Sequence, residues 1–167
     1  MSGILDARPK VGYFYTGKTS FNLISEKIEG IKVSERKSMP IVVDEEVSVY
    51  DGIVTMFLED VSSIFITSNG YLTGVVSRKD FLKNLIGGMN LHKTPIGVIM
   101  TRMPNIITVA MDESILDAAV KIIEHEIDGL PIVEEVVDPE GDRAYKVLGR
   151  ITKTSITRLF VELGRNE

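Results

Sequence analysis

The four residues best suited to chemistry stand in a row: Ser77-Arg78-Lys79-Asp80. They follow Gly74 and the β-branched pair Val75-Val76 and precede a stretch that reads as a helix from Arg78 to Ile86. A strand thus ends and a helix begins at Ser77. Unpaired backbone N–H groups and the positive end of the helix dipole gather at such a point. A Ser hydroxyl there can hold a phosphate, and Arg78 adds a charge able to grip it in a bidentate way. An ionised Asp80 offers acceptors for the two hydroxyls of a ribose. The same Ser-x-x-Asp spacing is also close to a capping box, which finishes a helix and binds nothing. The residues alone leave both readings open.

Other patterns carry less. Gly12-Tyr13-Phe14-Tyr15-Thr16-Gly17-Lys18-Thr19 satisfies the spacing of a P-loop. A P-loop needs a buried strand before it, and Asp6-Ala7-Arg8-Pro9-Lys10 is polar and holds a proline. Three bulky residues between its glycines would crowd a phosphate, so an NTPase acting through Lys18 is a minor alternative. His92 and His125 lack a second ligand at helical spacing, so no metal site is expected. Asp44-Glu45-Glu46 and Glu124 to Glu126 read as solvated faces rather than paired catalytic acids.

The chain has 167 residues, 44% of them hydrophobic, no cysteine and a net charge of −5. It can bury a core, cannot form disulfides, and is a poor partner for a phosphate backbone by itself. No apolar run approaches the roughly 20 residues of a membrane span. A soluble, cytoplasmic chain without membrane contact is expected.

An internal repeat organises these features. Ser48-Val49-Tyr50-Asp51 recurs 66 positions on as Ser114-Ile115-Leu116-Asp117, and Gly74-Val75-Val76-Ser77 recurs 75 positions on as Gly149-Arg150-Ile151-Thr152. The difference is an insertion between Glu134 and Ala144, where Asp138-Pro139-Glu140-Gly141-Asp142 spells a turn. The first copy turns on Ser68-Asn69-Gly70. Each copy opens with a β-branched run, Ile41-Val42-Val43 or Ile106-Ile107-Thr108-Val109. A helix capped by Ser48 or Ser114 follows. Then come a hairpin (Ser63 to Thr67 with Leu72 to Val76; Leu130 to Val133 with Tyr145 to Ile151) and a closing helix, Arg78 to Ile86 or Lys153 to Leu163. The predicted fold is α/β (α+β): a β-α-β-β-α unit twice, packed as a pseudo-twofold pair, because one copy is too small to bury its sheet. The expected divisions are a connector over 1–30, with a short amphipathic helix on Phe21, Leu23, Ile24 and Ile28, a first domain over 31–90 and a second over 91–167.

The duplicated unit, the pairs Met39-Pro40 and Met103-Pro104, Asp128-Gly129-Leu130-Pro131, and Gly74-Val75-Val76-Ser77-Arg78-Lys79-Asp80 together resemble the CBS-domain family, from about Val33 to the C-terminus. That resemblance implies a regulatory adenine nucleotide (AMP, ADP or ATP), no metal, no catalysis, and a homodimer formed through the CBS pair. It implies a site of Val76, Ser77, Arg78 and Asp80, with the ribose on Asp80. Thr94, Ile99, Ile127 and Asp128 would reach it from the second copy, Thr94 bonding the ribose or base and the two isoleucines sandwiching the adenine. A second site of Ser62, Thr152, Lys153 and Ser155 departs from the pattern, since Ser155 stands where an Asp is expected and cannot clamp a diol. That cleft is empty, takes a phosphate tail, or binds differently.

Ile4-Leu5-Asp6-Ala7-Arg8-Pro9, Val11 to Lys18, Met56-Phe57-Leu58-Glu59-Asp60-Val61 and Ile99 to Ile106 are similar to a narrower group: bacterial repressors of gluconeogenic genes with a helix-turn-helix before a CBS pair. No room for a helix-turn-helix is seen before Gly30. The resemblance therefore implies a sensor half that meets DNA only through a separate N-terminal helix-turn-helix. A ligand-independent dimerisation module, or a sensor of S-adenosylmethionine or cyclic di-AMP, are the alternatives.

Overall fold

A computed structural model describes residues 27–165 of the chain. The P-loop-like segment at Gly12 to Thr19 and most of the expected N-terminal helix lie outside the described residues. Ile28, the last apolar residue of that helix, is 3% exposed and sits in the core of the second copy.

Copy one runs β1 (Val42–Asp44), α1 (Val49–Leu58), β2 (Ser63–Ser68), β3 (Tyr71–Ser77) and α2 (Arg78–Ile86). A linker with a 3-10 turn at Ile96–Val98 leads into β4 (Thr101–Arg102). Copy two continues with α3 (Ile115–Glu124), β5 (Gly129–Val137), β6 (Arg143–Thr152) and α4 (Lys153–Arg165). The helices start where side chains satisfy first-turn donors. The Asp51 N–H donates to Ser48 Oγ at 3.1 Å, and the Asp117 N–H to Ser114 Oγ at 3.0 Å. On α3 the stripe Ile115, Ala118 and Ile122 is buried, as helical spacing requires. The first hairpin turns on Asn69 and Gly70, with φ of 52° and 83°, the left-handed pair a two-residue hairpin favours. The second turns on Asp138, whose Oδ1 accepts the N–H groups of Glu140 and Asp142, each at 2.9 Å.

The first sheet has the order β1-β2-β3-β4; β1 lies parallel to β2 and the other pairings are antiparallel. The second is the β5-β6 ribbon. The strand expected over Ile106 to Val109 is reduced to a single parallel bridge, Val109 to Ile132. The reason is Pro131. In copy one the Phe65 N–H donates to the Ile41 carbonyl at 2.9 Å. Pro131 occupies the position equivalent to Phe65 and has no N–H, so that rung of the ladder is lost.

The lead-in segments are exchanged. Thr101 and Arg102, which precede copy two, pair with Val75 and Gly74 of copy one. Ser38, which precedes copy one, bridges Arg150 of copy two. In the same way the Ile96–Val98 turn docks on copy one, with the Ile96 N–H on the Val47 carbonyl at 2.7 Å, while the Val33 N–H bonds Glu113 of copy two at 2.9 Å. Each copy has its own buried core. A third cluster, Phe65, Leu72, Ile106 and Val133 with Val75, Met103, Tyr145 and Val147, joins residues of the two copies.

Candidate functional site

The strand end and helix start at Ser77 become one wall of a cavity of about 550 Å³ between the copies. That size lies within the usual range for small-molecule sites. Copy one supplies Ser62, Ser63, Val75, Ser77, Arg78, Lys79 and Asp80. The lead-in of copy two supplies Thr101, Asn105, Ile106 and Ile107, and the end of α3 with the start of β5 supplies His125 to Gly129 and Pro131. The lining mixes apolar residues (Val75, Ile106, Ile107, Ile127 and Pro131) with charged and hydroxyl-bearing ones, the two kinds of contact a nucleoside ligand requires.

The capping box is present. Asp80 Oδ2 accepts the Ser77 N–H at 2.8 Å and the Ser77 hydroxyl at 2.6 Å, and the Asp80 N–H reaches Ser77 Oγ at 3.4 Å. Capping and ligand binding do not compete for the same atoms. Oδ1 of Asp80 takes no hydrogen bond among the described residues, and a carboxylate oxygen has two acceptor positions. The Arg78 N–H is used by the Ser62 carbonyl at 3.1 Å. That leaves the Lys79 N–H of the first helical turn without an acceptor among the described residues. The Arg78 side chain turns to copy one's own loop: Nε donates to the Val61 carbonyl at 3.2 Å and Nη2 lies 3.5 Å from Asp60 Oδ1. That ion pair is exposed, so it constrains Arg78 weakly. Across the cavity Asp128 Oδ1 accepts from Lys153 Nζ at 2.9 Å.

A family model described as the CBS domain matches residues 33–87 and 96–162. Transcriptional repressor CcpN of Bacillus subtilis (strain 168) is 46% identical over 168 residues, an alignment that covers 100% of this chain and 77% of the repressor. The chain is a pair of CBS domains.

Solved CBS pairs have the same fold. The CBS-domain pair of protein MJ0100, in complex with 5′-methylthioadenosine and S-adenosyl-L-methionine, superposes with a TM-score of 0.63 at 28% identity, covering 78% of this chain and 96% of that one. CBSX2 in complex with AMP superposes with a TM-score of 0.63 at 24% identity, covering 81% and 99%. None of the helices among the described residues is long and apolar enough to cross a membrane.

Within this CBS pair the structure brings together Ser62, Ser77, Arg78, Asp80, Ile127 and Asp128. It does not bring Val76, Thr94 or Ile99 to the cavity. Val76 is fully buried in the core of copy one, because successive side chains of β3 alternate and Val75 and Ser77 take the cavity face. Thr94 and Ile99 belong to the exchanged lead-in. The Thr94 hydroxyl donates to the Asn90 carbonyl at 2.8 Å, its carbonyl accepts the Val49 N–H at 2.9 Å, and Ile99 packs on copy one's core. Their place is taken by Thr101, Asn105, Ile106 and Ile107, which follow them in the chain. The readable signal for these was Met103-Pro104, which they flank.

The residues assigned to a second site separate. Ser62 lines the first cavity, whereas Thr152, Lys153 and Ser155 do not. Thr152 Oγ1 and Ser155 Oγ lie 3.0 Å apart, and the Ser155 N–H donates to Thr152 Oγ1 at 3.2 Å, capping α4.

Proposed function

We propose that this CBS pair is the ligand-sensing part of a transcriptional repressor and that its cavity takes an adenine nucleotide: AMP, ADP or ATP. The observation that carries the reading is the cavity itself. It sets a carboxylate with an open oxygen, Asp80, and a free helix-start N–H, Lys79, opposite the apolar residues Ile106, Ile107, Ile127 and Pro131. The ribose hydroxyls bond Asp80 Oδ1, the base lies against the isoleucines, and the phosphate meets the Lys79 N–H and the Arg78 and Lys79 side chains. The bound complexes of other CBS pairs, with AMP or with S-adenosyl-L-methionine, support an adenosine ligand.

The ligand touches both copies, so it favours the arrangement in which they close on it. An attached DNA-binding domain reads that change as a population shift. The 46% identity to a repressor supports this role in control of transcription. The proposal includes gluconeogenic genes as targets, a place in the cytoplasm and no catalysis. Exposed apolar side chains on the helices, Leu82, Leu85 and Ile86 on α2 with Ile123 on α3 and Phe160 on α4, support a homodimer through the CBS pair.

The test is isothermal titration with AMP, ADP, ATP, S-adenosylmethionine and cyclic di-AMP. One adenine nucleotide is expected to bind, to bind Asp80→Asn roughly 10- to 100-fold more weakly, and to raise unfolding stability by about 2.7 kcal/mol at a hundredfold its Kd. A dimer that binds none of the five sinks the sensor reading and leaves a dimerisation module.

A further inference from the structure

We infer that Asn105 reads the base: its side-chain amide pairs with the 6-amino edge of adenine and makes the cavity selective for a 6-aminopurine. The inference rests on the nucleotide reading above and adds the residue that chooses the base.

Asn105 stands on the lead-in of copy two, directly before Ile106 and Ile107, and all three line the cavity. The base is the apolar part of a nucleotide, so it lies where these isoleucines, Ile127 and Pro131 are gathered. A polar residue at the margin of that wall meets the base edge. The turn that carries Asn105 is fixed, because its N–H donates to the Arg102 carbonyl at 2.9 Å and the Arg102 guanidinium in turn donates to the Gly97 carbonyl at 2.8 Å. The side-chain amide of Asn105 has no hydrogen bond among the described residues. It presents one acceptor oxygen beside an NH₂ donor. Adenine offers the complement on either of its accessible edges: the 6-amino donor beside a ring-nitrogen acceptor. An Asn amide meets that pair in a bidentate way.

The other polar residues of the cavity suit this task less well. Ser77 and Asp80 are joined in the helix cap, Asp128 is paired with Lys153, Arg78 and Lys79 carry donors only, Glu126 when ionised carries acceptors only, His125 has its two nitrogens on opposite sides of the ring, and Ser62, Ser63 and Thr101 have only a hydroxyl to offer. A hydroxyl cannot make the two-point contact.

The experiment titrates the chain with AMP and with purine riboside 5′-monophosphate, which lacks the 6-amino group, in wild type and in Asn105→Ala. Wild type is expected to bind AMP roughly tenfold or more tightly than the analogue, the range of one bidentate base contact. Asn105→Ala is expected to bind both with similar affinity and to melt as wild type does, since Asn105 is exposed. Asn105→Asp, which has acceptors only, is expected to weaken AMP further, because two acceptors then face each other. An AMP-to-analogue ratio that survives in Asn105→Ala overturns this inference and leaves the nucleotide site standing. Wild-type protein that binds neither probe overturns this inference, and the nucleotide reading falls with it if ADP and ATP also fail to bind.

Discussion

Copy one places Val75, Thr101, Ser77 and Asp80 where copy two places Arg150, Ser38, Thr152 and Ser155. The strand registers fix the first two equivalences: Val75 lies opposite Phe65 and Thr101, and Arg150 opposite Pro131 and Ser38. An apolar contact has become a cation, whose Nε donates to Ser38 Oγ at 3.4 Å, and a carboxylate has become a hydroxyl. Both helices are nevertheless capped. The Thr152 and Ser155 hydroxyls complete α4 without any charge, so capping by itself does not call for Asp80. The carboxylate in copy one exceeds what the scaffold needs, and that excess is the best argument that it serves a ligand. A structural requirement repeats in both copies; a functional one appears in the copy that performs it.

The largest expected break in this comparison is in binding. Asp80→Asn keeps a side chain able to cap α2 but removes the charge, and should lower nucleotide affinity roughly 10- to 100-fold, the worth of a charge-assisted hydrogen bond. Ser155→Ala should leave it unchanged; titration calorimetry on the two variants decides. An equal loss in both would make the copies functionally equivalent.

The next effect is on packing. A Cβ on Gly74 would lie 2.9 Å from Met100 Cβ and closer still to its Sδ, whereas on Gly149 it would meet Ile132 Cδ1 and the Lys37 side chain, each at 3.3 Å. Met100 would have to move as a whole within its core, while at Gly149 a methyl end and a lysine outside the cores need yield only a few tenths of an ångström. Gly74→Ala should cost about 1–3 kcal/mol in urea unfolding, as overpacking does, and Gly149→Ala about 0.5 kcal/mol or less.

The smallest effect concerns acid. The Ser114 hydroxyl, then the Ser114 N–H, donate to Asp117 and hold its carboxyl below the ordinary value of 3.8. A carboxylate with a lowered folded pKa adds stability that is present above the unfolded value and lost as pH falls through the folded one. Asp117→Asn should therefore lower the urea midpoint at neutral pH and converge with wild type as pH falls through the lowered folded value. In copy one Ser48 and Asp51 share the side-chain bonds, at 2.7 and 3.1 Å, but their capping box is not completed by the Ser48 N–H. If Asp51→Asn destabilises as much as Asp117→Asn, the completed box has no extra value.

Sequence carried most of the scaffold. Helix α2 was legible to the residue, because Ser77 and Asp80 mark its start and Gly87 follows its end. The hairpins were legible from Asn69-Gly70 and Asp138 to Asp142. Copy two's opening strand was not, although its cause was in plain sight: Pro131 belongs to a signature that reads as a match, while its missing N–H acts on a strand 24 residues earlier. The cavity was half legible. Residues on α2 and at the α3-β5 junction come from motifs that announce themselves. Thr94 and Ile99 lie outside the cavity lining, and periodicity says that the lead-in is extended but not which copy it joins. Val76 lies outside it because the two-residue alternation of β3 turns its side chain into the core.

The exchanged lead-ins also set an order of assembly. Copy one is completed by β4, which lies 24 residues beyond the end of β3, so every piece of it exists once residue 102 has been made. Copy two is completed by Ser38, 112 positions before Arg150. During synthesis the first copy can close while the second is still absent, and residues 31–38 must wait unpaired for a partner that does not yet exist. Cutting the chain between the repeats, near residue 90, would therefore strip both halves of an edge: the unit that repeats in the sequence is not the unit that folds.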